Sequence, residues 1–218
     1  MKKIILYISI LSILTPSFLY SGIIKSYGFK LGANSCYHDF GFLKGANLTN
    51  RYGFNSLIFV NFILFSKISL STHIEYSQDG FRSKSINDDW SHLDYTTRFG
   101  IISIPLLINI DLHRVFLKPY FQLGPNFEII ISRTNGRHFG DKFKNTTFNF
   151  IFNIGCRPMQ IFGNDFIVEF RCTTDLGYKN GYELVSYSYW FDQFSISTFR
   201  YFKIKFSLNA GISFNNTG

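Results

Sequence analysis

The chain of 218 residues is long enough for one domain, and its 22 basic and 14 acidic residues give a net charge of +8. Aromatic residues make up 19% of the chain and charged residues only 17%, below the average of about 25% for soluble domains. A mean hydropathy of +0.06 excludes a bundle of transmembrane helices. The basic residues are scattered, with no run longer than Lys2-Lys3, which argues against nucleic acid as a partner.

The first 22 residues are predicted to form a secretory signal peptide. Lys2 and Lys3 supply the positive start, residues 4–14 form an apolar stretch of the usual length, and Ser21 and Gly22 are small enough for cleavage near them. The mature domain is therefore predicted to span residues 23–218.

Eight strands are predicted in the mature region, each with side chains that alternate between an apolar and a polar set. Alternation with period two gives a strand two different faces, and lengths of about ten residues or more suit strands that cross a bilayer at a tilt. Pro105 lacks an N–H, so it is predicted at a bulge or a locally unpaired position. In chain order the predicted strands span residues 26–35, 52–65, 68–78, 99–111, 116–132, 148–158, 165–178 and 202–214.

The connections between these strands alternate between long and short. Long connections are predicted at residues 36–51, 79–98, 133–147 and 179–198, and tight turns at 66–67, 113–114 and 162–164. This pattern predicts an all-β, eight-stranded, antiparallel up-and-down transmembrane barrel with its short turns and both termini on the periplasmic side. Closure of the barrel removes the unpaired strand edges that lipid would not tolerate.

A soluble eight-stranded cup of the lipocalin kind has the same strand pattern but places its apolar residues inside. Here the polar face is rich in Gly and Asn and carries charges at the strand centres, whereas the apolar face is nearly unbroken and aromatic. The narrow interior of an eight-stranded barrel accommodates small residues and ion pairs better than rows of Phe. The prediction is therefore a barrel in a bacterial outer membrane.

Five short stretches, in order along the mature chain, resemble the PorT-like outer-membrane β-barrel proteins of Bacteroidetes-type bacteria. The resemblance implies an integral outer-membrane barrel without a cofactor and, from one member of the family, a part in the secretion and maturation of exported proteins. Cys172 stands where the family often has Tyr. The stretches are GFKLGANS at 28–35, EYSQDGF at 75–81, IPLL at 104–107, PYFQLGP at 119–125 and VEFR at 168–171.

Nine charged residues are predicted to point into the lumen. A narrow lumen removes water from them, so they are expected to pair. Two interpretations are open, a structural plug of salt bridges or a gate that lines an ion pore, and the plug is favoured. Glu75, Glu169 and Arg171 are expected at its centre, with Glu169 and Glu75 as partners for Lys203 and Lys205. The nine residues are Lys30, Glu75, Lys118, Glu128, Arg157, Glu169, Arg171, Lys203 and Lys205.

Two smaller constellations carry alternative chemistry. His73, Glu75 and Ser77 share one strand face, but side chains two residues apart on a strand are nearly parallel, which opposes the geometry of a hydrolase triad. Cys156 and Cys172 lie opposite each other if the turn between their strands centres on Asn164. They are then either a cross-strand disulfide, since the periplasm is oxidising, or two small residues that face lipid.

Aromatic residues cluster in the predicted outer connections. They are open to two interpretations, a surface that binds a ligand or partner and the outer aromatic girdle of the barrel. The cluster consists of Trp90, Tyr182, Tyr187, Tyr189, Trp190 and Phe191.

The sequence therefore predicts an integral outer-membrane protein with a structural or accessory role, including a PorT-like role in protein secretion. The alternative is a surface protein that binds a ligand or adheres through its loops, and the third and least supported function is a lipid-active barrel enzyme. No enzymatic activity, metal or cofactor is expected. The expected partners are outer-membrane lipid and other secretion or envelope proteins, without nucleic acid.

Overall fold

Nine antiparallel strands form in the described part of the chain. The computed structural model describes residues 24–39, 46–65, 67–85, 95–112, 117–134, 146–175, 179–188 and 193–215. Among these residues, no helix has the length and apolar character to cross a membrane. The predicted signal peptide lies outside them. The strands are β1 (Ile24–Asp39), β2 (Ala46–Ile63), β3 (Ile68–Ser85), β4 (Tyr95–Asp111), β5 (Tyr120–Thr134), β6 (Thr146–Ile161), β7 (Asn164–Asp175), β8 (Lys179–Ser188) and β9 (Gln193–Asn215).

Eight of these strands close into a barrel. Strands β1 to β7 pair in sequence order, β7 pairs with β9, and β9 returns to pair with β1. The predicted closed eight-stranded antiparallel barrel is therefore confirmed. Strand β8 stands outside the closed ring, because it pairs with residues 193–201 of β9, beyond the part of β9 that contacts β1 and β7.

The barrel is polar inside and apolar outside, the reverse of a soluble cup. Along β3, for example, His73, Glu75 and Ser77 are buried while Ile74 between them is 63% exposed. Leu31 and Ile58 on the neighbouring strands are 60% and 67% exposed. The sequence alternates strictly at these positions, so once one side chain faces the lumen, every second residue of the strand also faces the lumen and the others face outward. A wall of this kind is stable with lipid around it.

Aromatic pairs lie near the two ends of the apolar exterior, one stacked and one tilted. Tyr27 and Phe214, with ring centroids 5.4 Å apart, join β1 to β9 near the end that carries the short turns. Phe54 and Tyr76, 5.7 Å apart, join β2 to β3 toward the end that carries the long connections. Aromatic rings at both boundaries are typical of membrane-spanning barrels.

The strands extend further toward the long connections than the sequence pattern predicted. Strand β1 runs to Asp39, β2 begins at Ala46 and β3 continues to Ser85, so much of the first two predicted long connections is paired strand. Beyond the lipid a strand needs only its backbone hydrogen bonds, and the apolar alternation that reveals a strand in sequence is no longer required.

Pro105 interrupts the hydrogen-bonded ladder between β3 and β4. The ladder pairs Thr72 with Leu106 and next pairs Glu75 with Ser103, leaving a gap at the proline, as predicted. The Thr72 hydroxyl bridges the gap by donating to the Pro105 carbonyl at 3.1 Å.

Candidate functional site: the charged lumen

Ion pairs join four cationic and four anionic side chains of the lumen, drawn from β1, β3, β5, β7 and β9, into one network. Each of these residues is at most 4% exposed. The eight are Lys30, Arg171, Lys203 and Lys205, and Glu75, Asp79, Glu128 and Glu169.

Arg171 on β7 is the junction at the centre of the lumen. Its Nη1 atom pairs with Glu75 of β3, across the barrel, and its Nη2 atom lies 3.1 Å from Oε1 of Glu169. The Nε atom donates to Oδ1 of Asn153 at 3.2 Å, so three sides of the guanidinium are occupied. Glu169 also pairs with Lys30, which ties β1 to β7 through the lumen.

Lys203 and Lys205 of β9 form the part of the network nearer the long connections. Lys203 Nζ lies 2.6 Å from Oε2 of Glu128 and 3.5 Å from Oδ2 of Asp79. Lys205 Nζ lies 3.6 Å from Oε1 of Glu75, so Glu75 connects this part to Arg171.

The predicted partner of Lys205, Glu75, is in place, but the predicted partner of Lys203 was wrong. Glu169 pairs across the wall with Asn209, six residues from Lys203 along β9. That separation is about 20 Å along a strand, too far for an ion pair. Lys203 uses Glu128 and Asp79, which lie at its own height in the barrel.

The eight ion-paired side chains carry four positive and four negative charges. Asp175, a further buried carboxylate on β7, accepts a hydrogen bond from the backbone N–H of Lys203 at 3.0 Å. Burying an isolated ion costs several kcal/mol, so a lumen of this width holds charges only when each has a partner. Every cation here lies within 4 Å of at least one carboxylate. The arrangement crosslinks opposite walls of the barrel and fills its centre.

Apolar packing fills the lumen beside the charges. Leu57, Phe59, Tyr120 and Ile167 form one buried cluster. The Tyr120 hydroxyl donates to Oε2 of Glu169 at 2.9 Å, which links this cluster to the ion pairs.

The Tyr120 ring needs the space that a glycine leaves on the next strand. A Cβ atom on Gly155 would come within 2.2 Å of the ring. Lys30 Nζ lies 4.9 Å from the centroid of the Phe59 ring, close enough for a cation–π contact. The lumen is therefore packed by rings and glycines as well as by salt bridges.

A separate charge group lies at the end of the lumen near the short turns. Asp111 at the end of β4 pairs with Lys25 and accepts a hydrogen bond from Nη1 of Arg157 at 2.8 Å. Arg157 is thus at this mouth rather than in the central network. Lys118 was predicted to face the lumen from within a strand, which was wrong. It precedes β5 in a turn with φ of 42°, its side chain is 43% exposed, and it lies 3.6 Å from Asp165.

The His73, Glu75 and Ser77 side chains each have a different partner. His73 Nε2 is hydrogen-bonded to Ser71 Oγ at 2.8 Å, and its Nδ1 accepts from Arg171 Nη2 at 3.1 Å. Ser77 Oγ accepts from Lys205 Nζ at 3.1 Å. The Ser77 hydroxyl is thus held by Lys205 and not by His73. Nucleophilic catalysis requires a hydroxyl that is hydrogen-bonded to a general base.

The predicted register between Cys156 and Cys172 was wrong. Cys156 pairs with Val168 and Cys172 pairs with Phe152, so the two cysteines are four residues out of register. This offset is about 13 Å along the wall, whereas a disulfide needs Cα atoms within about 7 Å. Both thiols are free. The cause is the turn, which lies at Phe162-Gly163 rather than being centred on Asn164.

Most of the predicted aromatic cluster falls outside the described residues. Trp90, Tyr189, Trp190 and Phe191 lie there, and their two interpretations stay open. Tyr182 and Tyr187 belong to β8. Within the described ranges, no group of three or more His, Cys, Asp or Glu side chains is arranged to hold a metal ion.

Sequence reasoning missed Asp79, which pairs with Lys203 and Lys205. The predicted third strand ended at residue 78, so Asp79 was assigned to a connection. Its spacing from Glu75 and Ser77 was the available signal, because these positions continue the same face with period two.

The closed wall, the apolar exterior and the paired charges in the lumen together define the class of this protein. It is a membrane-spanning β-barrel of the bacterial outer-membrane type. The predicted outer-membrane localisation is confirmed with the fold.

The chain is similar to several solved outer-membrane proteins, and the likeness to OprG supports the fold. OprG, an outer-membrane protein of Pseudomonas aeruginosa, matches with a TM-score of 0.57 at 10% identity, over 89% of this chain and 98% of that chain. The attachment invasion locus protein Ail of Yersinia pestis matches with a TM-score of 0.46 at 13% identity, over 87% and 99%. Neisserial surface protein A matches with a TM-score of 0.46 at 14% identity, over 90% and 98%.

No protein-family model matches the chain, and no curated protein matches its sequence. The similarity to the PorT-like family therefore rests on the five short stretches alone. At 10% identity, the likeness to OprG shows the fold alone.

Proposed function

We propose that this protein is a structural or accessory component of the outer membrane whose barrel is a closed anchor. The observation that carries the proposal is the neutral network of four cations and four carboxylates across the lumen. A pore for ions keeps water and mobile charge along its axis, whereas here the fixed charges satisfy one another. Salt bridges between opposite walls favour a rigid scaffold that holds the outer connections in place.

The closed state is tested by planar-bilayer recordings on refolded protein. The wild type is expected to give no stepwise conductance. A Lys203→Ser, Glu128→Ser double variant removes one cation and one carboxylate and keeps the remaining network neutral. Current steps in this variant alone would identify the side chains as the barrier, and steady steps in the wild type would contradict the closed anchor.

The PorT-like role in protein secretion is the finer form of this proposal, and the five sequence stretches support it. Its test is the set of exported proteins after deletion of the gene, compared with the parent strain and with a strain that carries the restored gene. Loss of specific exported proteins that returns on restoration is expected. Unchanged export would remove the secretion role and leave the anchor in place.

A binding role is the second candidate, and the β8–β9 hairpin favours it. Residues 193–201 of β9 pair with β8 beyond the closed ring. At about 3.3 Å per residue, this extension reaches about 30 Å along the strand direction. We infer that a projecting hairpin of this length is accessible to other molecules. Deleting residues 179–201 should abolish binding of other molecules to the cell surface through this protein. Deleting residues 86–94, at another long connection, is the matched control and should leave that binding unchanged.

We propose no enzymatic role for the lumen. His73 and Ser77 are engaged by Arg171 and Lys205, which supports a structural use of both. An unchanged lipid A mass profile after gene deletion is the expected result, and altered acylation would support the lipid-active alternative.

A further inference from the structure

Three arginines on three adjacent strands lie around Gly80, at the end of the barrel that carries the long connections. Arg98 on β4 is the cross-strand partner of Gly80 on β3, and Arg82, two residues further along β3, pairs with Thr96. Arg82 and Arg98 are therefore diagonal neighbours on adjacent strands, a separation of about 7–8 Å between backbone positions. Both side chains are exposed.

Gly80 lets the third arginine approach. Its φ of +155° suits glycine, and a Cβ atom there would lie 2.2 Å from the Thr97 carbonyl oxygen and 3.3 Å from Cδ of Arg51. The aliphatic stem of Arg51 on β2 thus passes beside Gly80, on the opposite side from β4. Gly80 therefore lies between Arg51 on β2 and Arg98 on β4, with Arg82 two residues further along β3.

Among the residues that the structure describes, none of the three arginines has a carboxylate partner. Asp79 and Glu128, the acidic residues of β3 and β5 nearest this end, are buried and committed to Lys203 and Lys205. Within the described part of the chain, no ion pair joins Arg51, Arg82 or Arg98 to an acidic residue. Nη1 of Arg51 is buried and makes no hydrogen bond among the described residues. Like charges held together repel, so a bound anion would stabilise this arrangement.

The arginines lie just above the lipid-facing belt. The Phe54–Tyr76 pair marks the aromatic boundary on β2 and β3. Gly80 and Arg82 follow Tyr76 by four and six residues, about 13 and 20 Å along the strand. With strands tilted by about 40°, these two backbone positions lie roughly 10–15 Å above the boundary. The headgroup layer extends about 5–8 Å beyond the hydrocarbon core, and long arginine side chains can extend down to it.

We propose that Arg51, Arg82 and Arg98 form a binding site for the phosphate groups of the outer-leaflet glycolipid. Guanidinium groups bind phosphate oxygens in a bidentate manner and remain charged at every physiological pH. The Thr96 hydroxyl, on the cross-strand partner of Arg82, adds a neutral donor at the same site. The proposal rests on the outer-membrane placement above, with the long connections outside.

The test measures retention of purified lipid A by the refolded full chain in detergent, using native mass spectrometry. Wild-type protein is expected to retain bisphosphorylated lipid A and to lose it after phosphatase treatment of the lipid. An Arg82→Gln, Arg98→Gln double variant should weaken retention by about tenfold or more, because two charge-assisted contacts are removed. Arg51→Gln should weaken it in the same direction.

Lys67→Gln is the matched control, because Lys67 is an exposed cation in the turn between β2 and β3 at the opposite end. It should retain lipid A as the wild type does. If Lys67→Gln lost as much lipid A as the arginine variants, net charge alone would drive retention. If the wild type retained dephosphorylated lipid A equally well, the acyl chains would drive retention. Either result would overturn the proposal.

Inorganic pyrophosphate separates a lipid site from a general anion site. Lipid A retention that survives millimolar pyrophosphate is expected, since the acyl chains add contacts on the belt below. Complete displacement by pyrophosphate would overturn the assignment to glycolipid. Heat-modifiable gel mobility is recorded for each variant, so a chain that fails to form the barrel is distinguished from a folded barrel that fails to bind.

Discussion

Arg171 contacts four side chains of the lumen, two of them carboxylates on different strands. Replacing Arg171 with Ala removes the cation that pairs with both Glu75 and Glu169. The two buried carboxylates then share fewer positive partners. Removing one partner from a buried ion pair typically costs about 3–5 kcal/mol. We expect Arg171→Ala to lower the free energy of unfolding by about that amount, measured by urea titration in detergent or lipid vesicles.

Lys118→Gln is the control for this measurement. The Lys118–Asp165 pair is 3.6 Å long and its lysine is 43% exposed, so water already solvates the charge. Exposed pairs contribute at most about 1 kcal/mol. An equal loss of stability in both variants would contradict a central role for Arg171.

Period-two spacing predicted which face each charged residue takes, but not its height in the barrel. Arg171 and Glu75 were predicted to lie at the centre together, and the structure joins them. Lys203 was given the wrong partner because spacing along one strand says nothing about the stagger between strands. Lys118 was misplaced because the turn before β5 breaks the alternation.

At the scale of the element, the turn between β6 and β7 carries an identifiable strain. Phe162 and Gly163 have φ of 50° and 80° and connect the paired residues Ile161 and Asn164, which is a two-residue hairpin turn of type I′. This turn favours Asn-Gly, because a bulky residue at positive φ is disfavoured. Phe162 is 99% exposed, so its ring makes little contact with the protein.

Phe162→Asn is therefore expected to stabilise the barrel by about 0.5–1 kcal/mol. The measurement is the same urea titration in detergent. Gly163→Ala should destabilise it, because alanine is strained at that φ although nothing lies within 4 Å of its Cβ. Loss of stability in Phe162→Asn would mean that the exposed ring contributes more through lipid or detergent than the turn costs.

The same turn explains why the sequence predicted strands better than register. The prediction that Cys172 lies opposite Cys156 depends on a turn centred on Asn164. The structure begins β7 at Asn164 and offsets the cysteines by four positions. A bulge between Cys156 and Met159 shifts the register of β6 against β7 again, and the residue pattern of β6 does not indicate it.

At the scale of the whole molecule, the inverted distribution of polarity accounts for both the composition and the fold. Half of each strand faces lipid and half faces the lumen, so a mean hydropathy of +0.06 hides an apolar exterior. The strand count, closure and inside-out arrangement were predictable because alternation repeats in every strand. The β8–β9 hairpin could not be predicted in this way, because beyond the lipid neither face of a strand needs to be apolar.

The inside-out arrangement has a direct test in the behaviour of the full chain. A closed barrel in detergent resists unfolding without heat, so unheated protein should migrate faster on a gel than boiled protein. The protein should also partition with membranes and remain there after washing with carbonate, because apolar side chains such as Ile58 and Ile74 face outward. A soluble cup would leave the membrane fraction under the same washing. Recovery of the unheated, compact form in the aqueous fraction would reverse the assignment of faces, and with it the placement of the charged network inside the wall.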